Sequence, residues 1–166
     1  DLKSIYRQLI LEHYRSPRNK TELPDSTVDV EVANPVCGDE IRLHLRVEDE
    51  RIVDVGFTGQ GCSISQAAVS MLTGLLRDTE LSEARGLAER FTEMMHGDDE
   101  ASRDESLGDL RALQGVSKFP VRIKCALLGF DALQEAVDRV GDGDAAGPEG
   151  EDRNGSATDG PGSGGG

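Results

Sequence analysis

A chain of 166 residues with 36% hydrophobic content, 4% aromatic residues and no Trp suits one modest domain with an aliphatic core, not two domains. The net charge of −14 argues against a nucleic-acid binder, because phosphate recognition needs clustered Lys and Arg, and favours protein partners with neutral or basic surfaces. No leader pattern and no run of about 18 apolar residues is present, so neither export nor membrane insertion is expected. Three cysteines without a leader fit a reducing, cytoplasmic setting better than a disulfide framework.

Residues 1–15 place Leu2, Ile5, Tyr6, Leu9, Ile10, His13 and Tyr14 at helical spacing, and Pro17 closes that helix. Its apolar face reads as a docking surface, with His13 expected to pack or to make a polar contact. After a loop over 19–27 the period changes to two. Val28, Val30 and Val32, then Ile41, Leu43, Leu45 and Val47, then Val53, Val55 and Phe57 alternate with polar residues. These spacings predict three antiparallel strands, the last two joined by a turn at Glu48-Asp49-Glu50, with one face open to water and His44 on that wet face. A stripe over 63–77 (Ile64, Ala67, Ala68, Met71, Leu72, Leu75, Leu76) predicts a helix covering the sheet, with Cys62 at its start. A second helical pattern runs from Leu81 through Leu87, Phe91, Met94 and Met95 to His96, with the methionines in the core. The acidic stretch 97–109 reads as a solvated excursion before Leu107, Leu110, Leu113 and Val116 resume helical spacing. Pro120 opens a last helix carrying Ile123, Leu127, Phe130, Leu133 and Val137, with Cys125 in its first turns. The fold class is therefore α+β: a small three-stranded antiparallel sheet covered on one face by helices, in a domain over 1–140. Residues 141–166, rich in Gly, Asp and Ser, are expected to be a disordered tail.

The chemistry concentrates in Cys37-Gly38-Asp39. A thiolate and a carboxylate two residues apart on a turn can face one point, and Cys62 and Cys125 bring the donor set to three sulfurs and one oxygen, a combination that suits a tetrahedral zinc ion. Free cysteines are also commonly buried as small hydrophobes. Cys62 and Cys125 lie near helix starts, where backbone N–H groups favour a thiolate.

Four separated motifs in order resemble the SufU family, the zinc-containing sulfur-transfer branch of the IscU-like iron-sulfur assembly proteins. They are Ile5 to Lys20 around His13-Tyr14-Arg15-Ser16-Pro17, then Cys37-Gly38-Asp39, Gly59-Gln60-Gly61-Cys62-Ser63-Ile64-Ser65, and Leu113 to Cys125. The resemblance implies a Zn2+ ion held by Cys37, Asp39, Cys62 and Cys125. It also implies an enzyme, a sulfurtransferase that takes persulfide sulfur from a PLP-dependent cysteine desulfurase of the SufS type and passes it toward a downstream iron-sulfur assembly scaffold. The arginine three residues before the last cysteine belongs to the active site in such proteins, which gives that role to Arg122, and less directly to Lys124. Cys37, on a flexible turn, is the expected sulfur acceptor, with Asp39 holding the metal beside it. The alternative is an IscU-type scaffold assembling a [2Fe-2S] cluster on the same ligands. Two departures favour SufU: Lys124 stands where scaffolds carry a histidine, and Phe119-Pro120-Val121-Arg122-Ile123-Lys124 replaces their L-P-P-V-K motif.

Overall fold

The computed structural model describes residues 2–141. Helix α1 (Leu2–Arg15) leads into β1 (Val28–Asn34), β2 (Asp39–Glu48) and β3 (Arg51–Gln60). Helix α2 (Ser63–Leu76), a two-residue strand β4 (Thr79–Glu80), α3 (Leu81–Met95), the short α4 (Asp99–Ser102), a stretch of 3-10 turns (Glu105–Lys118) and α5 (Pro120–Gly141) complete it. The strands form one antiparallel sheet in the order β1-β2-β3-β4. Of the expected tail only Gly141 is described, as the last residue of α5, and 142–166 lie outside the described residues.

Period-two patterning dictates which face is buried. Val28, Val30, Ile41, Leu43 and Leu45 all turn inward with 2% exposure or less, and register sets Val30 opposite Leu43 and Leu43 opposite Phe57. On β3 the alternation breaks. The pairing shifts between Arg46 and Val47, which face Asp54 and Ile52. This leaves Val53 as the extra residue of a bulge, so Ile52, not Val53, joins Val55 and Phe57 in the core. The connecting turn has positive φ at both Asp49 and Glu50, the conformation that matches the strands' twist.

Helices α2 and α5 lie on the inner face, α1 packs on α2, and α3 packs on α5. Because α5 touches the sheet on one side and α3 with the 3-10 stretch on the other, it is buried beyond a single stripe: Ala126, Leu128, Phe130, Ala132, Leu133, Ala136 and Val137 are all in the core. Phe130 stacks on Phe91 at 4.2 Å between centroids, and each such buried ring contributes about 1.5–3 kcal/mol. Met71, Met94 and Met95 are core residues, as expected. His13 is buried, its Nδ1 2.8 Å from Ser70 Oγ and its Nε2 3.0 Å from Asp109 Oδ2, so it ties α1 to α2 and to the 3-10 stretch.

Two expectations are corrected. His44 is not a solvated strand residue: it is 6% exposed, with Nδ1 2.6 Å from Asp29 Oδ1. The loop after α1 crosses the outer face of the sheet, where Arg46 pairs with Asp25 and the Phe57 N–H donates to the Asn19 carbonyl. Gly56, opposite His44, offers no side chain to hold that loop away. The stretch 97–109 is solvated along Gly97–Glu100 and at Arg103, Glu105 and Ser106, but it is also anchored to the core. Ala101 and Leu107 are fully buried, and Arg90 reaches from α3 to Asp98 and Asp104. The following leucines recur every third residue because the turns are 3-10 turns, whose period is three, interrupted at Gly108 (φ 53°).

Asp104 opens that stretch by accepting from the Ser106 N–H and hydroxyl. The Ser106 hydroxyl, then Arg90, lowers its carboxyl to about 2. A carboxyl depressed from about 3.9 contributes stability that is complete above about pH 4 and is lost as pH falls toward 2. Asp104→Ala is expected to cost about 1–2 kcal/mol at pH 7 and to flatten the loss between pH 4 and 2, as read by urea denaturation across that range.

Candidate metal centre

The turn between β1 and β2 is built by Asn34. Its carbonyl accepts the N–H groups of Cys37 (3.2 Å) and Gly38 (2.8 Å), its Oδ1 accepts the Val36 N–H at 3.1 Å, and its Nδ2 faces Cys37 Sγ at 3.6 Å. Gly38 takes φ +73°, a left-handed conformation that a side chain disfavours. Cys37 is thereby left exposed. Asp39 opens β2 opposite Asn34, on the same face as Ile41 and Leu43 by the period of the strand. Its carboxylate is consequently carried inward and is 1% exposed.

Cys62 is the N-cap of α2, its sulfur accepting the Ser65 N–H at 3.5 Å. Its own N–H donates to Asp39 Oδ1 at 2.8 Å, and its Sγ lies 3.7 Å from Asp39 Oδ2. Cys125 sits in the second turn of α5, buried, with Sγ 3.4 Å from Cys37 Sγ and 3.8 Å from the Val121 carbonyl oxygen. A helix start therefore favours the thiolate at Cys62 but not at Cys125, which faces a carbonyl instead of free N–H groups.

Ligand atoms of Cys37, Asp39 and Cys125 all lie within 4.8 Å of one another, and Cys62 adjoins them through Asp39. The donor set suits a soft divalent cation. Two sulfurs each about 2.3 Å from a tetrahedral zinc ion stand about 3.8 Å apart, close to the 3.4 Å between Cys37 and Cys125 and far beyond a disulfide bond. Without a cation the arrangement is unfavourable. Burial first, then contact with Cys37 and Asp39, pushes the Cys125 thiol well above its ordinary range, and no arginine pairs with the buried Asp39 among the described residues. A bound cation reverses both penalties.

A family model, the NifU-like N-terminal domain, matches residues 5–126. The chain belongs to this family. Among curated relatives, the zinc-dependent sulfurtransferase SufU of Bacillus subtilis is 46% identical over 137 residues, covering 82% of this chain and 92% of that protein. The iron-sulfur cluster assembly scaffold protein IscU of Streptococcus pyogenes is 38% identical over 138 residues, covering 83% and 86%. Among solved structures, a putative iron-sulfur cluster assembly scaffold protein for the SUF system from Fervidobacterium islandicum superposes with a TM-score of 0.73 at 29% identity, covering 81% of this chain and 97% of that one.

In this NifU-like domain Arg122 and Lys124 are exposed on the first turns of α5. Arg122 lies one turn before Cys125, and its side chain makes no hydrogen bond or ion pair within the described residues. It lines a groove of about 1250 Å³ bordered by Leu2, Tyr6 and Ile10 of α1 and by Phe119. Val36, next to Cys37, and Phe119 and Val121, just ahead of Cys125, are 87%, 61% and 66% exposed, so exposed apolar side chains flank two of the candidate ligands in sequence. Sequence reasoning missed the supporting residues. Asn34 sets the turn, and Ser65 donates its hydroxyl to the Cys62 carbonyl and its N–H to the Cys62 cap; an Asn three residues before one Cys and a Ser three residues after another are local turn and cap spacings that could have revealed them.

Proposed function

We propose that this protein is a zinc-dependent sulfurtransferase of the SufU type, acting in the cytoplasm between a SufS-type cysteine desulfurase and a downstream iron-sulfur assembly scaffold. The observation that carries the reading is the exposure of Cys37 at the rim of a cluster whose other members are wholly or partly buried. Cys37 is the most exposed of the three cysteines and so the best placed to meet a partner's persulfide. Zn2+ bound by Cys37, Asp39, Cys62 and Cys125 supplies positive charge that keeps the thiols deprotonated at neutral pH. The Cys37 thiolate attacks the outer sulfur of the donor's persulfide, the sulfur–sulfur bond of the donor breaks, and the donor cysteine leaves as a thiolate. Cys37 then carries one extra sulfur, and no electrons enter or leave the pair. Arg122, one turn from Cys125 and facing the groove, steadies the anionic perthiolate by a charge-assisted contact. Asp39, fixed by the Cys62 N–H, stays in place while the turn carrying Cys37 moves. The exposed Val36, Phe119 and Val121, with Tyr6 and Tyr14 of α1, form the docking surface, since aromatic anchors carry interface energy well.

The similarity to an IscU scaffold favours a second reading, cluster assembly on the same ligands. Analysis of zinc, iron and acid-labile sulfide in protein purified without added metal separates the two. One zinc per chain with neither iron nor sulfide is expected; stoichiometric iron and sulfide would favour the scaffold.

A further inference from the structure

We propose that Gly61 is a positioning residue that restricts Asp39 to donating a single carboxylate oxygen to the metal. The inference rests on the metal reading of Cys37, Asp39, Cys62 and Cys125 and goes beyond it, because Gly61 is not itself a ligand. A methyl group at Gly61 would lie 2.3 Å from Asp39 Oδ1, 2.9 Å from Asp39 Cγ and 2.8 Å from Ser65 Oγ. The carboxylate thus occupies the space where a side chain would be.

None of its neighbours has freedom to retreat. The Asp39 main chain is paired with Asn34 and lies one residue before the Glu40–Gln60 pair. The Ser65 hydroxyl donates to the Cys62 carbonyl at 3.2 Å and accepts from Gln66 Nε2 at 3.4 Å, with Ser65 and Gln66 both buried. Any added atom at Gly61 must therefore rotate the carboxylate and break its bond from the Cys62 N–H. That bond matters to the metal. It commits Oδ1 to the backbone at 2.8 Å and leaves Oδ2, 3.7 Å from Cys62 Sγ, as the free donor. A single oxygen with three sulfurs makes four ligands and a tetrahedral site, whereas a carboxylate freed to turn both oxygens inward favours higher coordination. Groups that orient a ligand without touching the metal typically change affinity by about 10- to 100-fold.

Cobalt(II) reports the geometry directly, since its visible absorption is intense in four-coordinate and weak in five- or six-coordinate sites. Wild-type protein titrated with cobalt should show intense bands, and zinc competition should give its affinity. Gly61→Ala should bind zinc about 10- to 100-fold more weakly and lose band intensity. In an Asp39→Ala/Ser65→Ala background, which removes all three of the atoms nearest the added methyl, Gly61→Ala should change neither quantity. Adding Ser65→Ala to Gly61→Ala should not restore affinity, since relief of the serine contact leaves the clash with the carboxylate. If Gly61→Ala alone fails to fold, the Asp39→Ala/Ser65→Ala/Gly61→Ala variant should fold, with a melting temperature below that of Asp39→Ala/Ser65→Ala only by the backbone cost of a side chain at φ +158°. Unchanged affinity and spectrum in Gly61→Ala, the same loss in the Asp39→Ala/Ser65→Ala background, rescue by Ser65→Ala alone, or a triple variant that stays unfolded would each overturn the proposal. Wild-type protein that takes up no cobalt or zinc would overturn the metal reading with it.

Discussion

Stripping the metal from this protein with a chelator is expected to lower its melting temperature by roughly 10–20 °C. A ligand bound only by the native state stabilises it by about 4 kcal/mol when present at 1,000 times its dissociation constant. For a domain of this size each kcal/mol moves the transition by roughly 2–8 °C. The expectation has a structural basis in the elements that the ligands join. Cys37 belongs to the β1–β2 turn, Asp39 to β2, Cys62 to the cap of α2 and Cys125 to α5, so an ion held by all four would bridge the sheet to both helices lying on it. Losing such an ion would leave a buried carboxylate and a buried thiol in contact, compensated by the Cys62 N–H and by weak thiol hydrogen bonds. Calorimetry before and after verified metal removal measures the shift. An unchanged transition would show that the ligands do not hold these elements together.

The second large effect concerns Cys37→Ser. Serine has no sulfur with which to form a perthiolate, so sulfur acceptance from a cysteine desulfurase supplied with cysteine should fall on the order of 10³-fold or more. Because Cys37 is exposed on a turn, the substitution should leave the metal-free protein within about 0.5 kcal/mol of the metal-free wild type. Cys125→Ser, at a buried position in contact with the core, should destabilise even the metal-free protein. This contrast separates the loss of a reactive group from the loss of a structural one. Equal destabilisation by both substitutions in the absence of metal would contradict the placement of Cys37 at the rim.

Much of this was legible in the residues, for identifiable reasons. β1 and β2 keep strict alternation because one face of the sheet is buried by helices, and α2 shows a continuous apolar stripe because it lies between the sheet and α1. Sequence patterning failed where a local irregularity or a long-range contact decides the outcome. Val53 breaks the alternation through a bulge, and β4 is two residues long, too short for any period to register. His44 is buried by a loop that nothing in its own strand announces. The stretch 97–109 looked solvated because it is acidic, yet Arg90 neutralises Asp98 and Asp104 and lets Ala101 and Leu107 enter the core. The candidate metal-ligating residue types were visible in the sequence, but the 3.4 Å approach of Cys125 to Cys37 across 88 positions is a product of the fold. The notch at Gly61 was invisible, since its significance lies in an atom that is missing.

The claim on which the functional account turns is that Cys37 receives the sulfur. Reaction with a cysteine desulfurase and cysteine, followed by alkylation and peptide mass spectrometry, locates the extra sulfur directly. The account predicts it on the peptide bearing Cys37; recovery on Cys62 or Cys125 instead, with Cys37 unmodified, would contradict it.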